Sequence, residues 1–273
     1  MKLQHFQCDA PNLQRFFLSY YLVEGLDNDR SNFRAFPSNN SVLSLGWNTL
    51  IERINDTIVL HNSPDTCYSI FFDTITKPFS FEYQGPIYEL SILIRPEYTA
   101  FFAERLAYLQ RKGKKWNKAI LDLQLSIFCT KDPGRRQYLI ELWLRDTLLG
   151  NQQPSKDEVA VIGITMRLLD KGMSVQSIAS LIGTSRKTLH KTFRAHTLRT
   201  PGSYQRIGRF RSAIQVRQED TKESLTGLAY ISGYYDQSHM VRDFRRLSGL
   251  TPRQLLAEIL QLEKECDVYW QPL

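Results

Sequence analysis

The 273-residue sequence predicts an α+β chain of two domains. A β-rich N-terminal domain that ends in helices is expected over 1–152. An all-helical domain of two helix-turn-helix motifs joined by a long helix is expected over 155–262. Three observations carry that expectation. Short runs rich in β-branched and aromatic residues occupy the first hundred positions, and helical spacing takes over after Glu97. Basic charge is concentrated: residues 155–260 hold 17 Lys and Arg against 9 acids, whereas residues 1–154 hold 17 against 16. The basic stretch also repeats itself.

In the N-terminal part, Ser41–Trp47, Thr57–His61, Cys67–Phe72 and Tyr88–Ile94 are apolar or alternating runs bounded by Asn, Asp, Pro or Gly, the pattern of strands. A partial, cupin-like barrel is the expected architecture. Phe101, Phe102, Leu106 and Leu109 then recur at helical spacing, as do Ile120, Leu121, Leu123, Leu125, Ile127 and Phe128. A third helix is read over Arg135–Leu149, ending at Gly150. The polar stretch Gly150-Asn-Gln-Gln-Pro-Ser-Lys reads as a linker, with the boundary near residue 153.

The repeat aligns Ala179, Gly183, Ser185, Leu189 and Phe193-Arg194 with Ala229, Gly233, Asp236, Met240 and Phe244-Arg245. Each residue type has a mechanical reason. An alanine permits two helices to approach closely. A glycine ends the first helix in the left-handed conformation that only glycine adopts cheaply. Ser185 and Asp236 offer an oxygen to the free N–H groups opening the second helix. The apolar pairs bury one stripe of that helix and leave another face outward: Lys187, His190 and Lys191 in the first copy, Gln237, Ser238, Val241 and Arg242 in the second. These are mostly side chains that read base edges in a major groove. Ser203–Glu219 between the copies reads as one helix about 25 Å long, with Tyr204, Ile207, Phe210, Ala213, Ile214 and Val216 apolar.

Residues 158–260 resemble the DNA-binding domain of the AraC/XylS transcription regulators. The resemblance is strongest from Gly233-Tyr-Tyr-Asp-Gln-Ser-His-Met to Gly249-Leu-Thr-Pro252, and looser from Ile178-Ala179 through Thr200-Pro201 to Ala213. Three positions depart from the family pattern: Leu198 replaces a helix-closing glycine, Gly227 sits inside a helix, and Leu255 replaces a tyrosine. The resemblance implies double-stranded DNA and RNA polymerase as partners. It implies base reading by Lys187, His190, Lys191, Gln237, Ser238, Val241 and Arg242, and phosphate contacts by Arg186, Arg245 and Arg246. Phe36-Pro-Ser-Asn-Asn-Ser-Val-Leu and Gly85-Pro…Leu93-Ile-Arg95-Pro-Glu-Tyr are similar to the β-rich domain that precedes this one in many regulators. Such domains bind an effector, dimerise, or both; no ligand is named by the resemblance.

Other functions find little support in the residues. No apolar run approaches a membrane span, and Met1–Ala10 has no apolar core, so no membrane partner and a cytoplasmic location are expected. The four cysteines are scattered, which suits reduced thiols, and no cofactor or metal site is expected. His5 and His61 lack companions at metal-ligand spacing. The nucleophile-elbow, phosphate-loop and zinc-protease motifs are absent, so an enzyme or repair protein with a DNA-targeting module is the weaker alternative. Trp47, Tyr68, Phe71, Tyr83, Tyr88, Glu89 and Arg95 could line an effector pocket, although aromatic residues in a domain of this size are more often core. Leu121, Leu125, Phe128, Leu139, Leu142 and Trp143 could form a homodimer seam or pack on their own sheet. The acidic tail Glu263-Lys-Glu-Cys-Asp reads as a solvated helix end.

Overall fold

A computed structural model describes residues 2–25, 30–152, 154–220 and 222–265. The chain divides into two compact units. The first comprises Met1–Ala35, Asn40–Asp73 and Phe79–Ser155; the second comprises Phe36–Asn39, Thr74–Pro78 and Lys156–Leu273. Cys266 and the rest of the acidic tail beyond Glu265 lie outside the described residues.

The first unit is a seven-stranded half-barrel with helices. Its strands are β1 (Lys2–Gln7), β2 (Phe17–Glu24), β3 (Arg30–Ala35), β4 (Ser41–Ile54), β5 (Thr57–Phe72), β6 (Phe79–Gln84) and β7 (Tyr88–Ile94), in the order β1-β2-β7-β4-β5-β6-β3. All neighbours are antiparallel except β5 and β6. The runs Thr57–His61 and Cys67–Phe72 are one strand rather than two. Asp65 on β5 and Asn48 on β4 both take positive φ, and Asn48 Oδ1 accepts the Asp65 N–H at 3.1 Å. The pair of irregularities lets the long hairpin bend without breaking. Asn and Asp tolerate that left-handed backbone better than most residues.

Three helices follow the sheet: α1 (Thr99–Gln110), α2 (Lys114–Phe128) and α3 (Pro133–Trp143). The expected third helix continues to Gly150 as one wider, π-helical turn over Leu144–Leu149. Arg105 donates to the carbonyls of Leu148 (2.7 Å) and Thr147 (3.3 Å), which satisfies acceptors at that helix end. Two expected seam residues serve their own unit: Trp143 packs on Trp116 and Phe128 on Tyr88. Leu121, Leu139 and Leu142 are half-buried, and Leu125 is exposed.

The half-barrel contains a buried carboxylate. Glu89 on β7 accepts hydroxyl hydrogen bonds from Tyr68 and Tyr83 at Oε2, both 2.9 Å, and from Ser91 at Oε1, 2.5 Å. Burial, reinforced by that carboxylate, pushes the Tyr21 phenol up to about 12 and those of Tyr68 and Tyr83 well above the ordinary range. Gly46 on β4 is required here because a β-carbon would stand 1.8 Å from the Tyr68 ring. Of the residues singled out for a pocket, Tyr68, Tyr83 and Glu89 converge, the Trp47 ring lies 5.4 Å from that of Tyr88 at a tilt of 43°, and Arg95 donates to the Gln14 carbonyl.

The second unit is all-helical apart from its two short upstream segments. It contains α4 (Lys156–Asp170), α5 (Val175–Leu181), α6 (Arg186–Thr197), α7 (Pro201–Glu219), α8 (Leu225–Ile231), α9 (Gln237–Ser248) and α10 (Pro252–Glu265). It has two cores. Ile162, Met166, Leu169, Ile178, Ala179, Leu189, Phe193 and Tyr204 form one; residues of α7 through α10, from Ile207 to Ile259, form the other. The second core includes Phe36, whose ring lies 6.4 Å from that of Phe210. The backbone after Phe36 is gripped by arginines: Arg211 donates to the carbonyls of Pro37 (2.6 Å) and Phe36 (2.8 Å), and Arg199 to that of Ser38 (2.6 Å). Burial, with the nearby Arg199 charge, lowers the Arg211 pKa to about 9.

Two stability predictions follow from this packing. Phe36→Ala should cost about 3 kcal/mol, the usual range for a buried phenylalanine. Thermal or urea unfolding of the full chain should show that loss in the transition of the helical unit. Helices α6 and α9 both close on a left-handed residue, Leu198 (φ +55°) and Gly249 (φ +77°). A β-carbon at Gly249 meets nothing within 4 Å, so Gly249→Ala tests the backbone alone. It should destabilise by about 1 kcal/mol, while Leu198→Gly should stabilise by up to about 1 kcal/mol, read as opposite shifts in Tm.

Candidate nucleic-acid interface

Each recognition helix is built by the same local machinery. In the first motif α5 ends at Gly183 (φ +70°), and the Thr184 N–H returns to the Ala179 carbonyl at 2.9 Å. In the second, α8 ends at Gly233 (φ +76°), and the Tyr234 N–H returns to the Ala229 carbonyl at 2.9 Å. Ser185 then caps α6 by accepting the Thr188 N–H at 3.0 Å, and Asp236 caps α9 by accepting the His239 N–H at 2.6 Å. Ala179 and Ala229 are fully buried, as are Phe193, Met240 and Phe244, with Leu189 almost so. The alanines and the apolar stripes therefore lie where the repeat requires them.

The repeat extends further than its alignment indicates. Thr197 and Ser248, the last residues of α6 and α9, both turn a buried hydroxyl back to the helix, to the carbonyls of Phe193 and Phe244 at 2.8 Å. Thr200 and Thr251 then accept N–H groups of the first turn of α7 and α10. Leu198 adopts the left-handed cap itself, its N–H donating to the Arg194 carbonyl at 2.9 Å, so the turn forms without the family glycine. Gly227 leaves room for the Glu223 carboxylate, which would stand 2.0 Å from a β-carbon there. Leu255 fills the second core.

With the inner stripes buried, the opposite faces are left to solvent. Lys187, His190 and Lys191 are exposed on α6; Gln237, Ser238 and Arg242 are exposed on α9, and Val241 is half-buried. Arg186, Arg245 and Arg246 are exposed as well. The α6 face forms a shallow hollow of about 860 Å³ lined by Arg186, Lys187, His190, Lys191, Arg194 and Ala195. Arg194, named in the repeat but given no contact role there, stands eight residues after Arg186 and four after His190 on the same stripe. Gln237 is tethered, its amide oxygen accepting from the Thr226 hydroxyl at 3.3 Å. Tyr235 was also missed: it directly precedes the α9 cap, is 85% exposed, and is an extra residue relative to the first turn.

Sidedness and charge suit a polyanion. Each face is short, rigidly capped and rich in Lys, Arg and neutral donors, with acids turned elsewhere: Asp236 is spent on its cap and Asp243 is buried. Among the described residues no group of three or more His, Cys, Asp or Glu is placed to hold a metal ion, and no helix is long and apolar enough to cross a membrane.

A helix-turn-helix domain family matches residues 178–258. The transcriptional activator RhaS of Enterobacter sp. (strain 638) is 34% identical over 85 residues, 30% of this chain and 30% of its own length. The transcriptional regulator VirS of Mycobacterium tuberculosis (strain CDC 1551) is 34% identical over 98 residues, 36% of this chain and 28% of its own. The chain thus spans under a third of the curated relatives it matches. A solved structure of ToxT from Vibrio cholerae O395 aligns over 93% of this chain and 97% of that one, at 12% identity and TM-score 0.43. Both matched relatives are transcription regulators by name. By residues 178–258, with their doubled motif on a shared helix, the chain carries a helix-turn-helix domain similar to those of these transcription regulators.

Proposed function

We propose that this protein is a sequence-specific DNA-binding transcription regulator whose helices α6 and α9 enter two adjacent major grooves on one face of the duplex. The observation that carries the reading is the presence of two outward, donor-rich faces, on α6 and α9, in motifs joined by one continuous helix, α7. At 1.5 Å per residue the 19 residues of α7 span about 28 Å. With the thickness of the helices at its ends, that length suits the roughly 34 Å between successive major grooves.

In this reading Lys187, His190, Lys191, Gln237, Ser238, Val241 and Arg242 choose sequence, and Arg186, Arg245 and Arg246 hold phosphates. Arg194 and Tyr235 join the interface by position. Phosphate contacts supply most of the affinity and make it salt-dependent, whereas base contacts decide where the protein stops. The half-barrel unit supplies dimerisation and response to a small-molecule effector. The Glu89 cluster supports the second role, since it gathers a carboxylate and the hydroxyls of Tyr21, Ser44, Tyr68, Tyr83 and Ser91 in one buried polar group. RNA polymerase is the partner through which DNA binding alters transcription, in the cytoplasm of a bacterial cell.

Selection of bound sequences from random duplex DNA by the full-length protein, at physiological salt, tests the reading. A motif with two blocks about one helical turn apart is expected, and its repetition would mark a homodimer. Absence of any enriched motif, with and without extracts containing small metabolites, would overturn it. Arg242→Ala should relax preference within the block read by α9, by about 1–3 kcal/mol at one base pair. Arg246→Ala should instead weaken binding to all sequences alike and reduce the salt slope by about one. Titrations on matched and mismatched duplexes at several salt concentrations separate the two behaviours.

A further inference from the structure

The second recognition helix is tied down by a carboxylate of its own, whereas α6 meets a carboxylate at a different point, His196 Nε2 lying 3.5 Å from Glu158 of α4. Asp243 follows Arg242 on α9 and is only 6% exposed. Its Oδ1 lies 3.2 Å from Arg206 Nε, and its Oδ2 lies 3.5 Å from an Arg209 terminal nitrogen. Both arginines come from α7, three residues apart and so on one face. His239, one turn earlier on α9, brings Nε2 to 3.6 Å from the same oxygen. Arg209 also lies over the Tyr234 ring at 5.4 Å, and the His239 ring stands edge-on to that ring at 5.3 Å. A β-carbon at Gly233 would touch the methylenes of Arg209 at 3.7 Å. One knot therefore joins the linker helix, the turn and the recognition helix. In the first motif the residue aligned with Asp243, immediately before Phe193, is Thr192.

We propose that Asp243 is a positioning residue that fixes the rotation of α9 about its own axis, and with it the aim of Gln237, Ser238, Val241 and Arg242. The proposal rests on the DNA-reading function above. Its physical basis is leverage. A side-chain tip stands about 5–6 Å from a helix axis, so a rotation of about 20° moves it by about 2 Å. That exceeds the roughly 0.5 Å within which a recognition contact must be held. Apolar packing of Met240 and Phe244 resists withdrawal of the helix but tolerates small rolls. Paired charges resist rolling, because Oδ1 and Oδ2 are held by different arginines from one rigid neighbour. The same pairing engages Arg206 and Arg209 inside the unit rather than leaving them for phosphates.

Asp243→Asn in the full-length protein keeps the shape and removes the charge. Arg206→Gln, which leaves Asp243 its Arg209 partner, is the milder variant should the first fold poorly. Amide hydrogen exchange of the free protein reads the latch without DNA: exchange across α9 should rise about tenfold while α6 is unchanged. Sequence selection reads its consequence: preference in the block contacted by α9 should fall about tenfold, with the α6 block retained. Unchanged exchange in α9 overturns the latch. Equal loosening of both helices, or equal weakening of both blocks, overturns a local role in favour of general stability. Loosened α9 with both blocks unchanged overturns the positioning. If wild-type protein selects no sequence while α9 loosens in the variant, the latch stands and the DNA reading fails.

Discussion

Helix α7 is the element on which the rest of the C-terminal unit depends. Tyr204, near its start, packs in the core of the first motif, and Ile207, Phe210, Ala213 and Ile214 pack in the core of the second. Each motif alone is a cluster of short helices, below the size at which a chain buries enough surface to hold itself together. Sharing one helix makes two marginal cores into one structure and fixes the spacing between them by covalent geometry. The start of α7 is correspondingly well made: Thr200 caps it, accepting the Ser203 N–H at 3.1 Å, and Pro201 occupies the first turn, where its missing N–H costs nothing.

The basic charge that marks this unit divides into two populations. Of the twelve arginines between 155 and 260, Arg199 and Arg211 grip backbone carbonyls, and Arg206 and Arg209 face Asp243. A guanidinium suits both tasks because its planar fork of donors stays charged where a lysine would more readily lose its proton. Arg186, Arg194, Arg242, Arg245, Arg246 and Arg253 are exposed, together with Lys187 and Lys191. Counting charge along the sequence therefore overstates the number of phosphates this unit can meet. The surplus holds the unit's own architecture.

What the sequence made legible was whatever is settled within about eight residues. The caps at Ser185 and Asp236, the left-handed glycines, the tight alanines and the buried stripes of α6 and α9 are local rules, and the repeat states each twice. The extent of α7 was legible too, since a long apolar periodicity between two turn signals has few other meanings. Contacts across long separations were not. Nothing around Phe36 announces that its ring completes a core with Phe210, more than 170 residues later. Asp243 lies in a polar helix where an inward carboxylate and an outward one look alike until α7 is placed beside it. In the half-barrel, Asn62, Ser63, Pro64 and Asp65 read as a turn, yet β5 runs through them because Asp65 and Asn48 absorb the irregularity together. Trp143 and Phe128 had the spacing of a seam, but helical spacing specifies a face without naming what covers it.

The two motifs share a plan and differ in how firmly it is enforced. The first closes its recognition helix with Leu198 in a conformation that costs a leucine strain, and no ion pair stands at the Thr192 position. The second closes with Gly249, lengthens its turn by Tyr235, and anchors α9 through Asp243 to two arginines of α7. These differences lie outside the residues assigned to read bases, in the parts that hold a helix still. Their reading faces differ in the same sense. Lys187, His190 and Lys191 are long or rotatable donors that can search for an acceptor, whereas Gln237, tethered by Thr226, and the short Ser238 gain only if the backbone beneath them is placed accurately. On the proposed reading the anchor beneath α9 matters most to those two residues, while the long Arg242 beside them can adjust.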